Sequence, residues 1–135
     1  MKCKPVLFSS KAGGKPLNRI EVPARDDRDE AWLQALLYSH PEILPVADFD
    51  EGFGPAIPLG REITTPAGSI DNLYVSPMRS ITIVETKLWK NPEKHRTVVA
   101  QIIDYAKEIS QWDYNRLNAA ILKASRNTAG AEKSR

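Results

Sequence analysis

Glu85 and Lys87, at the end of an apolar run over residues 80–89, are the pair whose types and spacing best suit chemistry. The run begins SITIV, and such β-branched residues favour a strand that is covered on both faces. Because side chains alternate along a strand, the carboxylate and the ammonium are expected on one face. In one interpretation they form an ordinary ion pair, which contributes about 0–1 kcal/mol to stability if exposed. In the other, Glu85 is a metal ligand and Lys87 places a positive charge beside a reacting phosphate.

Composition limits the classes of protein that need to be considered. The 135 residues suit one compact domain, and 41% hydrophobic with 27% charged residues is ordinary for a globular protein. There is no apolar run of the roughly 18–20 residues that span a membrane and no signal-peptide pattern, so a soluble cytoplasmic protein is predicted. The lone Cys3 cannot form an internal disulfide, and no His/Cys cluster has the spacing of a common zinc module.

Charge is unevenly distributed along the chain, although the net charge is only +2. Residues 1–22 sum to +4, residues 23–85 to −7 and residues 86–135 to +5. An acidic middle between basic ends suits a site for metal and phosphate. The alternative is that this segregation does not survive folding, and the sequence leaves both interpretations open.

Residues 1–26 are predicted to form an N-terminal β-hairpin or extension. Apolar stretches at residues 5–8 and 17–22 supply the two strands, and the breaker AGGKP at residues 12–16 separates them. We expect this hairpin at the edge of the main sheet.

A helix is predicted from Asp27 to the stop signal His40-Pro41, with an apolar face of leucines. With Asp27 as the N-cap, Glu30 falls three residues later and would be the acidic half of a capping box. Glu30 could equally be a functional carboxylate on the core side of the helix start. Residues 41–58, rich in proline and acidic residues, are expected to be irregular.

Three strands with short connections follow, over residues 57–65, 69–75 and 80–89, and predict an antiparallel meander. Asp71 lies in the second strand, where aspartate is depleted. Across the turn it should run back past Glu85, so that two carboxylates come within reach of one hard cation. Without Glu85, an aspartate at a bulge or sheet edge would be the preferred interpretation.

A long helix is predicted over residues 91–112, because Asn91 can cap it and Pro92 suits its first position. Gln101 and Tyr105 lie one turn apart, beside the predicted apolar face. A second helix is expected over residues 113–125 with Asp113 as its cap, and a disordered tail over residues 127–135. The predicted apolar face of the long helix comprises Val99, Ile102, Ile103, Ala106 and Ile109.

The motifs Gly68-Ser69-Ile70-Asp71, Glu85-Thr86-Lys87 and Gln101-Ile102-Ile103-Asp104-Tyr105 occur in this order after the Glu30 helix. Together they resemble the PD-(D/E)XK nuclease superfamily, in the branch whose long helix carries a QxxxY motif. The resemblance covers residues 27–112, with Ile70 where a proline usually precedes the aspartate. It implies the α/β restriction-endonuclease-like fold, a central mixed β-sheet with a three-strand antiparallel meander flanked by helices.

The resemblance implies a magnesium-dependent deoxyribonuclease, with Mn²⁺ able to substitute. Asp71 and Glu85 would hold the metal, the carbonyl of Thr86 would complete its shell, and Glu30 would reach it through water. Lys87 would orient or activate the attacking water, while Gln101 and Tyr105 would position nucleic acid.

The alternative is a catalytically silent module that binds nucleic acid or a protein partner as part of a larger protein. In that module Lys90 and Lys94 would contact DNA phosphates.

After the long helix, the family core continues with one or two strands, for which residues 113–135 offer no good candidate. A longer protein, a partner chain in a homodimer, or a reduced domain would each account for this difference. An unpaired sheet edge favours dimerisation or strand exchange.

Overall fold

The structure is a computed structural model that describes residues 6–11, 13–17, 29–87 and 93–132. Five strands and three long helices account for most of the described residues, together with shorter pieces. In chain order the elements are β1 (Val6–Ser9), β2 (Gly13–Pro16), α1 (Glu30–Ser39), α2 (Val46–Phe49), β3 (Ile57–Thr65), β4 (Gly68–Val75), β5 (Ile81–Val84), α3 (Glu93–Ser110) and α4 (Tyr114–Glu132).

The antiparallel meander predicted from the sequence is present, in the order β3-β4-β5. The first two strands match their predicted bounds closely, but β5 ends at Val84. Glu85, Thr86 and Lys87 therefore follow the strand as irregular backbone rather than forming part of it. The coarse α/β prediction is confirmed, and the sheet in the described residues is antiparallel throughout, where a mixed sheet was expected.

The apolar core contains residues of the meander together with residues of α3 and α4. Ile63, Ile70 and Leu73 from the sheet pack with Tyr105 of α3 and Ala124 of α4, and all five are buried. Burial of such side chains contributes roughly 1.5–3 kcal/mol each for the larger ones. Helix α4 therefore belongs to the core.

The opposite face of the sheet packs against α1 and is unusually polar. Asn72, next to the core residue Leu73, points the other way, and its Nδ2 donates to the backbone oxygen of Gln34 in α1 at 2.9 Å. Asn72, Gln34 and Tyr74 are all buried. The two faces of the sheet thus hold α1 by polar contacts and the other helices by apolar ones.

Several predictions of local structure were wrong in detail. The β1–β2 hairpin forms a separate two-stranded sheet, and β2 lies within the segment predicted as a breaker. Gly13 has φ 72°, a conformation that glycine adopts without strain. Glycines are also tolerated in this strand because an edge strand has no side-chain packing to satisfy. Of the predicted second strand, only Leu17 is in the described residues.

The irregular region at residues 41–58 contains α2 and two short 3₁₀ turns, Pro41–Ile43 and Glu51–Phe53. The tail predicted as disordered is helical as far as Glu132, because α4 continues past the expected end at residue 125. Ala124 is buried and Thr128, one turn later, is half-buried, so one side of α4 stays partly covered past the predicted end. Asp113 caps this helix as predicted, accepting from the Arg116 N–H at 2.8 Å.

Candidate active site

Strand register brings Asp71 and Glu85 to neighbouring positions. Asn72 pairs with Val84 and Leu73 with Ile83, so the next step along both strands leads to Asp71 and Glu85. Asp71 reaches across to the segment after β5, where its Oδ2 accepts from the Thr86 N–H at 2.8 Å and from the Thr86 hydroxyl at 2.7 Å. These two bonds hold the end of β5 against β4 at the predicted site.

Glu85 and Lys87 form the ion pair expected from their alternation. Lys87 Nζ donates to Glu85 Oε1 at 2.7 Å, and only 2% of the Glu85 side chain is exposed, against 29% for Lys87. The second carboxylate oxygen, Glu85 Oε2, is buried and has no hydrogen-bond partner in the described part of the chain. A buried ionised oxygen without a partner is costly, and a bound cation is one of the few groups that removes that cost.

Lys87 is protonated at neutral pH in this arrangement. Burial lowers the pKa of Lys87, but the hydrogen bond to Glu85 and the negative charges of Glu85, Asp71 and Glu30 outweigh it and raise the pKa above the usual value. The sequence alone left the protonation state open. The structure gives an ammonium, which supplies a positive charge and is not a proton acceptor.

Glu30 is the first residue of α1, and its charge is among those that act on Lys87. The N-cap is Asp29, whose Oδ1 accepts from the Trp32 N–H at 2.9 Å. The predicted capping box is therefore wrong, since Glu30 lies at the first helical position rather than the third. Asp27 lies outside the described residues. This leaves the functional interpretation of Glu30 in place, at the end of α1 that is nearest to Lys87.

Gln101 and Tyr105 lie on the stripe of α3 that faces the sheet. Tyr105 is buried, and a Cβ added to Gly68 would lie 3.1 Å from its hydroxyl oxygen. Burial raises the pKa of Tyr105, as do the charges of Glu85 and Asp71, while Lys87 and a hydrogen bond with Gln101 lower it. Gln101 Oε1 is a further buried oxygen without a hydrogen-bond partner among the described residues. The QxxxY residues are thus close to the carboxylates.

The apolar face predicted for α3 differs from the observed one. Val99 is 58% and Ile103 61% exposed, whereas Tyr105 is part of the core and Ile109 packs against it. The helix is rotated so that the stripe through Gln101 and Tyr105 meets the sheet.

The two lysines predicted to contact substrate are not tested by the structure. Lys90 lies outside the described residues, and Lys94 belongs to α3 with a side chain that is also outside them.

The oxygen donors at the site fit a hard divalent cation such as Mg²⁺ or Mn²⁺, which prefers carboxylate and carbonyl ligands. Glu85 Oε2 is the best-defined of them, and Asp71 lies beside it with Oδ2 already used by Thr86. Within residues 6–11, 13–17, 29–87 and 93–132, no group of three or more His, Cys, Asp and Glu side chains is arranged to hold a metal ion. The fit therefore rests on two carboxylates, with backbone oxygen and water to complete a shell.

Four residues beside the site were missed in the sequence analysis: Gln34, Arg61, Glu62 and Asn72. They join α1 to β3 and β4 through side-chain hydrogen bonds. Asn72 carried a usable signal, because an amide next to Asp71 in an apolar strand is as unexpected as the aspartate itself. For the other three, no local pattern predicts contacts between residues 27 or more positions apart.

No protein-family model matches the chain, and neither a curated protein nor a solved structure matches it. Each helix in the described ranges is too short or too polar to cross a membrane. The interpretation of the site therefore depends on its own geometry and on the motif resemblance.

Proposed function

We propose that this chain is a metal-dependent nuclease domain that hydrolyses DNA phosphodiester bonds. The observation that carries the proposal is the buried, unpartnered Glu85 Oε2 next to Asp71, with the Lys87 ammonium on the other oxygen of Glu85. A carboxylate within β4, with a second carboxylate and a fixed cation just after β5, has the charges that phosphodiester hydrolysis requires.

Asp71 and Glu85 would hold Mg²⁺, with Mn²⁺ as a substitute, and the carbonyl of Thr86 and a water near Glu30 would contribute further oxygens. The bound ion would supply Lewis acidity to the phosphate and lower the pKa of a water. The chain's own residues supply the rest of the arrangement. Asp71 holds Thr86 in place by accepting its two hydrogen bonds. Lys87 holds Glu85 through their ion pair and would offset negative charge on the phosphate.

Gln101 and Tyr105 would support nucleic acid binding from α3, on the stripe that faces the sheet. Gln101 has a buried amide oxygen in need of a donor, and Tyr105 packs beneath the turn that precedes Asp71. Lys90 and Lys94 would add contacts to DNA phosphates beyond the reactive one.

DNA cleavage tests the proposal. Linear, circular and single-stranded DNA would be incubated with the chain in Mg²⁺ or Mn²⁺, in parallel with Asp71→Ala and with Asp48→Ala as a matched control on exposed α2. We expect metal-dependent cutting that is lost in Asp71→Ala and retained in Asp48→Ala. Cutting that survives Asp71→Ala at the level of the unsubstituted chain would refute the assignment.

A binding-only module is the second candidate, and it too would use the basic residues near the site. It predicts salt-dependent retention of DNA in a mobility-shift assay with no cleavage in either metal. Binding without cleavage by the unsubstituted chain would decide in its favour.

The edge of β5 favours a further strand in the assembled protein. In the described sheet, β5 pairs only with β4, and the neighbouring helix α3 leaves Val99 and Ile103 exposed. We propose that a homodimer or a further strand of a longer protein covers this edge. Sedimentation of the chain at increasing concentration separates a dimer from a monomer.

A further inference from the structure

A polar cluster joins α1 to the sheet, and we call its members Gln34, Arg61, Glu62 and Asn72 the Gln34 clamp. Gln34 and Asn72 are buried, Arg61 is half-buried and Glu62 is exposed. Gln34 Nε2 donates to Glu62 Oε1 at 2.6 Å, and Gln34 Oε1 accepts from Arg61 Nη2 at 2.9 Å. The backbone oxygen of Gln34 accepts from Asn72 Nδ2 at 2.9 Å. One residue of α1 is therefore bound through three atoms to two strands.

The clamp favours one position of α1 on the sheet. Gln34 and Asn72 are buried, so a shift of the helix would leave amide groups without partners, at about 1–3 kcal/mol for each group. Apolar contacts tolerate small sliding, whereas hydrogen bonds at 2.6–2.9 Å do not. Polar contacts thus define the placement of this helix more narrowly than a leucine interface would.

Glu62 is held in a conformation that few residues adopt. Its φ is 53°, in the left-handed region, which costs a non-glycine residue on the order of 1 kcal/mol or more. Its two carboxylate oxygens accept from Gln34 and from the Ser69 hydroxyl, the latter at 3.0 Å. These contacts stabilise a backbone conformation that would otherwise be unfavourable.

Each part of the clamp lies next to a residue of the candidate site. Asn72 follows Asp71 in β4, and the pairs Arg61–Asn72 and Ile63–Ile70 place Glu62 across from Asp71. Gln34 lies four residues after Glu30, which is one helical turn. The clamp therefore connects the start of α1 to the strand position that carries Asp71.

We infer that Gln34 is a positioning residue, which through its bonds to Glu62, Arg61 and Asn72 sets the place of Glu30 relative to Asp71. The inference rests on the proposed function, since it gives Glu30 a place in the reaction. The hydrogen bonds of Gln34 described above go to Glu62, Arg61 and Asn72, so it acts on Glu30 through the placement of α1.

An exchange of the two partners tests this inference. Gln34→Glu places a second carboxylate opposite Glu62, at the contact that is now 2.6 Å long. The double variant Gln34→Glu/Glu62→Gln restores one amide and one carboxylate, with the amide donor now at position 62. In the double variant Arg61 still finds an acceptor at position 34. The exchange shows that the effect comes from this contact, and a Glu30→Gln background separates an effect on Glu30 from a general loss of stability.

The first readout is kcat and KM for metal-dependent DNA cleavage. We expect Gln34→Glu to lower kcat at least tenfold with a smaller change in KM, and the double variant to recover to within about threefold of the unsubstituted chain. In a Glu30→Gln background, Gln34→Glu should lower kcat no further, because its effect passes through Glu30. An equal tenfold loss in that background, or no recovery in the double variant, would overturn the inference.

The second readout is amide hydrogen exchange over the first turn of α1, which does not depend on cleavage. We expect faster exchange in Gln34→Glu, and a return to the original rate in the double variant. If the unsubstituted chain does not cut DNA, the proposed function fails, and exchange alone decides whether Gln34 fixes the Glu30 turn. Unchanged exchange in Gln34→Glu would refute the positioning role even if cleavage is present.

Discussion

The Thr86 side chain provides a sharp test of how the site is held together. Its hydroxyl donates to Asp71 Oδ2 at 2.7 Å, and the residue is buried. Thr86→Val keeps the shape of the side chain and removes this donor. A hydrogen bond to a charged group contributes about 1.5–3 kcal/mol, so we expect the free energy of unfolding to fall by that amount.

Urea denaturation followed by circular dichroism measures the loss, as a lower midpoint at unchanged slope. Thr64→Val is the matched control, because Thr64 is exposed on β3 and the chemical change is the same. We expect the control to shift the free energy by no more than about 0.5 kcal/mol.

A double-mutant cycle identifies the partner. In an Asp71→Ala background, Thr86→Val should cost far less than it does alone, because the acceptor is gone. If Thr86→Val and Thr64→Val have the same effect, or if the cost persists without Asp71, the proposed link between the two strands is wrong.

Three further predictions concern the packing and ionisation of the same region. Lys87→Met should lower the free energy of unfolding by about 3 kcal/mol, since it leaves the buried Glu85 carboxylate without its partner. Thermal melts measure the loss, and adding Glu85→Gln should recover part of it. Ala124→Leu should lower the free energy of unfolding by about 1–3 kcal/mol, because the larger side chain overpacks the core. Ala119→Leu, on the exposed side of α4, should be nearly neutral. Equal effects of the two would contradict the placement of this helix. Burial raises the pKa of Tyr74, so its contribution to stability should be fully present below the ordinary tyrosine pKa of 10.0 and fall as pH rises from there toward the raised pKa. Ultraviolet titration should show this late-ionising tyrosine, and Tyr74→Phe should remove both its signal and that part of the pH dependence.

The sequence predicted the parts of this fold that depend on local pattern. The alternation of side chains and the turn residues predicted β3 and β4 close to their observed bounds. The spacing of the predicted strands also placed Asp71 beside Glu85, where the observed register has it. The Lys87–Glu85 pair followed from alternation as well. These features depend on residues that are near in sequence or related by a short turn.

Predictions of local structure also failed at β2 and at the N-cap of α1, but the larger errors and omissions depend on packing between distant elements. The side of α3 that faces the sheet could not be found from apolar spacing, because Tyr105 is buried where Val99 and Ile103 are not. The length of α4 was underestimated because its last turns have small and polar residues, which give no clear apolar spacing. The Gln34 clamp joins residues 27 and 28 positions apart, and nothing in either segment indicates the other.

Binding of Mn²⁺ to the chain, measured by electron paramagnetic resonance, tests the central claim most directly. Our account predicts one bound ion, with at least tenfold weaker affinity in Glu85→Gln and unchanged affinity in Asp48→Asn, whose carboxylate lies on exposed α2. A tenfold loss corresponds to about 1.4 kcal/mol of binding free energy. Absence of binding, or equal affinity in the unsubstituted chain and Glu85→Gln, would contradict the assignment of Glu85 as a metal ligand.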